Sequence, residues 1–361
     1  HVNIADIFTG RLLTEIPPAL SHLLEALVTL PELHTIDLSD NAFGLNTQAP
    51  LVAFLSAHTP LRKLILNNNG LGPRAGKLIA DALTELAAKK EASRAAGRPV
   101  PDLETVVCGR NRLENGSMAA WARAFAAHRA GIKEVRMTQN GIRPEGVETL
   151  LRNGLKHATG LRVLDLQDNT FTLQGATALA DVVPGWSSLT DLGVGDCLLK
   201  KRGAILLFRA LHNQPNTNLR ALRLAFNDID IAGLADLKRA VTASLPALRR
   251  VELNGNRFSD AEPDIDAIRD LLLDRLGGEQ QQQHTEPVMD ELEDMDDEEE
   301  SESEEEEEEE EEEAGRRAED VEKKAEKLVR DDEEAEEEEV AQEKDESVDA
   351  LTKKLEQAAV V

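Results

Sequence analysis

Tyrosine is absent from the 361 residues, and aromatic residues make up only 3% of them. An aromatic platform for stacking bases is therefore a poor prospect. Cysteine is nearly absent: Cys108 and Cys197 alone cannot build a disulfide framework and fit a reducing compartment. No run of about 18 apolar residues occurs, which excludes a membrane-spanning helix. No secretory signal is visible, and a start at His1 rather than Met predicts a missing N-terminal piece. Basic charge is scarce in one region only. Residues 1–276 carry 30 acidic and 32 basic side chains, whereas 277–361 carry 39 acidic and 9 basic, so the net charge of −28 resides in the tail. Acidity of this kind opposes binding to phosphate backbones and anionic lipid.

What is present is a repeat. An apolar residue, two variable ones, apolar, one variable, apolar, two variable, Asn, one variable and apolar recur along the first 260 residues. The pattern reads Leu33, Ile36, Leu38, Asn41, Phe43, then Leu61, Leu64, Leu66, Asn69, Leu71. It returns as Leu103, Val106, Cys108, Asn111, Leu113 and as Ile132, Val135, Met137, Asn140, Ile142, with four more copies centred on Asn169, Cys197, Asn227 and Asn256. The centres are 28, 42, 29, 29, 28, 30 and 29 residues apart. This is the leucine-rich repeat, and it predicts an α/β solenoid. Each apolar–x–apolar pair is a short strand with both side chains pointing inward, and the Asn serves the turn that follows. A period of 28–29 residues leaves room for one helix per copy, for example Ala75 to Leu86 or Ala204 to Leu211. Strands and helices differ in width, so stacking predicts a crescent with an inner parallel sheet and outer helices.

About eight complete copies assign residues 1–278 to a leucine-rich repeat domain, closed by an amphipathic helix near Glu262–Leu276. His1 to Gly10 holds no complete strand motif, which predicts that at least one upstream repeat is absent. The 42-residue step contains Lys89 to Pro101, a polar and basic stretch expected to form a longer helix end and a solvated loop. Residues 279–361 form an acidic tail, including ten consecutive glutamates at Glu304–Glu313, and are expected to be mostly disordered because they can bury almost nothing. Solubility and electrostatic steering of a basic partner are equally good readings of that tail.

Intrinsic enzyme chemistry has little support. There is no Walker-type phosphate loop, no nucleophile elbow and no metal-ligand spacing among the eight histidines. Asp37 with Asp40, and Asp165 with Asp168, are acid pairs expected to be solvated or partner-facing. Cys197, standing where the other copies have the turn Asn, reads as structural. Polarity concentrates instead in the strand-to-helix loops of the early copies, which a solenoid stacks along one rim. The repeat explains Asn41, Asn69 and Asn111. It does not require Arg11, Asn68, Arg110 or Arg112, and arginine is effective at interfaces.

Several strings go beyond a generic repeat: LSDNAFG (38–44), NNGLGP (68–73), CGRNRLENGSM (108–118), QNGIRPEG (139–146), LDLQDNTFT (164–172) and VELNGNRFS (251–259). Together they resemble the GTPase-activating proteins of the small GTPase Ran, most closely the fungal form, from Ile7 to about Leu276 and on into an acidic tail. The resemblance implies a monomeric activator that docks on Ran·GTP through its N-terminal loops and stimulates hydrolysis in support of nucleocytoplasmic transport. It implies no arginine finger: Asn68 would order the catalytic glutamine of Ran, and Arg11 and Arg112 would anchor acidic surface on it; Asp40, Asn67 and Arg110, in the same polar loops, are further candidate partner contacts. The chain would carry no cofactor, since GTP and magnesium belong to Ran, and no nucleic acid or membrane would be bound; a Ran-binding protein is a further candidate partner. The family pattern starts a repeat or two before His1, so the surface beside Arg11 is expected to be incomplete. Vertebrate members carry a C-terminal domain that attaches to the nuclear pore; with only the acidic tail after Gly278, the expectation is a cytoplasmic protein. Two other readings remain: an acidic leucine-rich scaffold that binds histones or other basic proteins, whose copies of about 23–24 residues are shorter than these, and a ribonuclease-inhibitor-like binder, a family rich in cysteine.

Overall fold

The computed structural model describes residues 1–276, apart from 13, 46 and 215, together with 288–292. Contacts group His1–Asp296 into one unit; the second, Asp297–Val361, and with it most of the expected disordered tail, lies outside the described residues.

Three-residue strands form at the apolar–x–apolar pairs. They are β2 (Thr35–Asp37), β3 (Lys63–Ile65), β4 (Thr105–Val107), β5 (Glu134–Arg136), β6 (Val163–Asp165), β7 (Asp191–Gly193), β8 (Ala221–Arg223) and β9 (Arg250–Glu252). A ninth strand, β1 (Val2–Asn3), pairs with β2 although its segment lacks the full motif. All nine lie parallel in chain order in one sheet, as expected when every crossover is a helix of the same repeat. The register aligns Ile36, Leu64, Val106, Val135, Leu164, Leu192, Leu222 and Val251 in one column, every member fully buried. Leu38, Leu66, Cys108, Met137, Leu166, Val194, Leu224 and Leu253 are buried in the same way two residues further on. Burying such a side chain contributes about 1.5–3 kcal/mol, so these columns hold the copies together.

The helices are α1 (Ile16–Leu27), α2 (Gln48–Ala57), α3 (Gly72–Ala95), α4 (Glu114–His128), α5 (Pro144–Thr149), α6 (Thr172–Val182), α7 (Lys200–Asn213), α8 (Ile231–Ala243) and α9 (Pro263–Leu276). The long step does extend α3, to 24 residues. It is not solvated throughout, however. Lys90 is 1% exposed, and its Nζ donates to the carbonyls of Thr59, Leu61 and Pro101, each at 2.7 Å. The ammonium closes the inserted loop by satisfying three carbonyls that would otherwise be buried unpaired, and burial pushes its pKa down to about 8.

At the other end, five residues beyond position 278 pack against the repeats. Val251 N–H donates to the Val288 carbonyl at 3.0 Å, and Met289 pairs with Val251 as a parallel bridge and is buried. The Asp290 carboxylate accepts from the N–H groups of Leu253 (2.7 Å) and Asn254 (2.8 Å). In the preceding repeat Leu224, the residue equivalent to Leu253, donates its N–H to the carbonyl of Glu252 on the next strand. Asp290 thus takes, for Leu253, the acceptor place that the next strand fills for Leu224.

Candidate partner-binding site

The turn asparagines build the rim. Each side chain bridges two copies. Asn111 Nδ2 donates to the carbonyls of Leu66 (2.8 Å) and Gly109 (2.9 Å), while its Oδ1 accepts from Asn69 N–H at 2.9 Å. Asn41 N–H donates to Asn69 Oδ1, and Asn111 N–H to Asn140 Oδ1. Cys197 breaks this ladder. Its thiol reaches the carbonyls of Leu166 and Gly195 only at 3.5 and 3.3 Å, and burial raises its pKa far above the ordinary value. Burial likewise pushes the Cys108 thiol up to about 12. Neither cysteine is a nucleophile at neutral pH.

The residue before each turn position adopts a left-handed backbone: Asp6, Asp40, Asn68, Arg110, Gln139, Asp168, Asp196, Phe226 and Gly255. The repeat imposes this conformation, and Asn and Asp tolerate it best. Arg110 (φ 56°) and Phe226 (φ 56°) do not share that ease, so conformational preference does not account for them.

Asp40, Asn68 and Arg110 therefore occupy one slot in three adjacent copies, roughly 5 Å apart by strand spacing. Backbone bonds fix the row: Asp40 N–H to Asn67 O (3.0 Å), Asn68 N–H to Gly109 O (2.9 Å), Arg110 N–H to Thr138 O (2.9 Å). All three side chains are exposed, as are Arg11 and Arg112. Asn67 is half-buried and turned to the scaffold: its Oδ1 accepts from Gly109 N–H at 2.7 Å, and its own N–H donates to Ser39 Oγ. A Cβ on residue 109 would lie 2.7 Å from Thr138 Oγ1, so only glycine permits this close approach. The structure thus assembles Asp40, Asn68, Arg110 and Arg112 on one rim, with Arg11 in the loop after β1, whereas Asn67 holds the rim from within.

Among the described residues Arg11, Arg110 and Arg112 have no ion-pair partner. The open face of the sheet is different. Arg136 bonds Glu134 (2.7 Å) and Asp165 (3.1 Å), and Arg223 bonds Asp191 (3.2 Å) and approaches Asp165 at 3.8 Å. Asp165 is buried, not solvated or partner-facing as its spacing suggested, because two arginines from flanking strands surround it. A Cβ at Gly193 would sit 2.8 Å from Asp165 Oδ1 and 3.1 Å from Arg223 Nε, so glycine lets Arg223 cross β7. The opposite, helix-to-strand rim holds a cavity of about 580 Å³. Its arginines are also engaged, Arg62 with Glu104 (2.9 Å) and Arg94 with Asp102 (2.6 Å).

Sequence reasoning passed over Arg74. It is exposed in the first turn of α3, just after the Asn68 loop, with no acidic residue in that turn and no ion pair among the described residues. A cation at a helix N-terminus is electrostatically unfavourable, and that was the available signal. Among the described residues no His, Cys, Asp and Glu group could hold a metal ion, and no helix is long and apolar enough to cross a membrane.

Comparison with known proteins accords with the repeat architecture. A Leucine Rich repeat family model matches residues 157–180 and 216–237. The chain is 41% identical over 275 residues to Ran GTPase-activating protein 1 of Saccharomyces cerevisiae, covering 74% of this chain and 66% of that protein. It is 36% identical over 258 residues to the Ran GTPase-activating protein of Drosophila melanogaster, covering 71% and 42%. The chain thus spans about two thirds of the yeast protein's length and less than half of the fly protein's. A leucine-rich repeat-containing protein of Legionella pneumophila, LegL7, is similar at 16% identity with a TM-score of 0.39, covering 75% of this chain and 89% of that one, a likeness too slight to add weight.

Proposed function

The chain belongs to the Ran GTPase-activating protein family of leucine-rich repeat proteins, and on that premise we propose that it binds Ran in its GTP form through the rim of its first repeats and stimulates hydrolysis. The observation that carries this reading is the set of arginines without an ion-pair partner among the described residues, Arg11, Arg110 and Arg112, flanking an exposed Asn68, while Arg136 and Arg223 on the sheet are engaged. Such guanidinium groups anchor acidic surface by charge-assisted, often bidentate bonds. The chain contributes no nucleophile. It is an activator, and the bond cleavage belongs to Ran with its own GTP and magnesium.

Water positioning by a glutamine is the improvable step in GTPases of this class. Asn68 fits that step: its amide, presented from a rigid rim, can hold the partner's glutamine side chain in the orientation that aligns the attacking water. No arginine enters the nucleotide site in this scheme; the arginines fix the complex, and closing it strengthens the polar contacts inside. The protein acts as a monomer in the cytoplasm, supporting nucleocytoplasmic transport by discharging Ran·GTP there. Single-turnover hydrolysis of GTP by purified Ran, with and without the chain, tests the reading. Acceleration by orders of magnitude is expected, and an unchanged rate at saturating concentration overturns it.

A further inference from the structure

Resting on the reading that Asn68 acts on the partner's glutamine, we propose that Asp40 is a positioning residue that sets the polarity of the Asn68 amide, so that its oxygen faces the partner. Asn68 Nδ2 donates to Asp40 Oδ1 at 2.8 Å. A carboxylate only accepts, so the amide atom directed at Asp40 is the nitrogen, and the oxygen is left for a donor. Arg110, the neighbour on the opposite side in the same slot, carries donors only and offers the Asn68 nitrogen no competing acceptor.

Asp40 is itself held in place. Its N–H donates to Asn67 O at 3.0 Å, and its carbonyl lies 3.4 Å from Thr9 Oγ1, whose single hydrogen goes to the Asp6 carboxylate. Asp6, Asp40 and Asn68 hold the same left-handed slot in successive repeats, with φ of 55°, 61° and 51°. The row is therefore a chain of fixed groups rather than a set of independent turn residues.

The chemical consequence is a direction. With the Asn68 oxygen outward, the group it recognises must donate, and the NH2 of a glutamine side chain does so. The oxygen of that glutamine is then free to accept a hydrogen of the attacking water. One carboxylate thereby orders three hydrogen bonds in sequence, from Asn68 NH2 to Asp40, from glutamine NH2 to Asn68 oxygen, and from water to glutamine oxygen. In a chain of this kind each bond polarises the next.

The test uses the full chain. In single-turnover assays with Ran·GTP, Asp40→Ala is expected to lower the saturating rate with an unchanged half-saturating concentration. An untethered asparagine has three χ1 wells and two amide orientations, so the expected loss is roughly sixfold. Asp40→Asn, which keeps an acceptor oxygen, is expected to restore most of the rate. Asp40→Ala is expected to cost nothing further on an Asn68→Ala background. A full saturating rate for Asp40→Ala, an effect confined to half-saturation, or an undiminished loss on the Asn68→Ala background each overturns the proposal. The side-chain NH2 resonances of Asn68, assigned by their loss in Asn68→Ala, report the contact without Ran: Asp40→Ala is expected to shift them, and unchanged resonances overturn the proposal. If the unsubstituted chain fails to stimulate Ran, the functional reading falls and the orientation argument with it. If it stimulates and only the Asp40 arms fail, the positioning role alone is lost.

Discussion

Arginine plays opposite parts in two regions of this protein. On the open face of the sheet Arg136, Arg223 and Arg250 each bond carboxylates of their own or neighbouring strands. On the rim of the first repeats Arg11, Arg110 and Arg112 have no such partner among the described residues. A paired guanidinium on a sheet face is screened and already satisfied, and its net worth to stability is modest. An unpaired one on a rigid rim costs the fold little while it is hydrated, and it remains available to bond an acidic partner. The contrast predicts that substitutions on the rim change activity and spare stability, and that those on the sheet face do the reverse.

The sharpest way to break that contrast is Asn68→Ala. Stimulated hydrolysis is expected to fall about a hundredfold or more, as for loss of a positioning group, while thermal unfolding stays unchanged; a fully active variant would sink the assignment. Next, Arg110→Ala and Arg112→Ala are each expected to raise the half-saturating concentration of Ran about tenfold, the value of one charge-assisted contact. The effect should shrink as salt is raised, because exposed charges are screened. Calorimetry on Asp165→Ala is expected to show a loss of about 2 kcal/mol, since two arginines lose their shared carboxylate, with stimulated hydrolysis intact. Equal damage to activity would mean that the sheet face also touches the partner.

The last expected effect is a pH dependence, felt only below neutral pH. Burial pushes the His128 pKa down to about 4, while its ring Nε2 donates to the Leu83 carbonyl at 2.9 Å. The unfolded chain, with an ordinary histidine pKa near 6.5, takes up a proton first as pH falls. Stability from this site is therefore present above pH 6.5 and lost progressively down to about pH 4. His128→Gln is expected to flatten that part of the stability–pH curve, and an identical slope in both proteins would contradict it.

Much of this was legible in the residues, and the reason is the period. Where Ile36, Leu64 and Val106 recur at fixed spacing, strand positions and the inward column follow directly, and Asp40, Asn68 and Arg110 fall in one slot. The failures share a cause. Lys90 reads as solvent-facing because nothing local announces three carbonyls drawn from Thr59, Leu61 and Pro101. Asp165 reads as exposed because its partners come from strands 29 and 58 residues away, one of them reachable only across Gly193. Val288–Leu292 reads as part of a featureless acidic stretch because five apolar or acidic side chains show no docking until the free edge of β9 is known.

That edge has a further consequence. A last strand with open N–H groups invites a neighbour's backbone and, through it, aggregation. The Asp290 carboxylate occupies two of those donors, and Met289 covers the apolar side. Five residues thereby work as a bookend, keeping a stackable protein from continuing its stack with a second molecule. Shortening the chain ahead of Val288 should cost solubility at high concentration before it costs any catalytic stimulation.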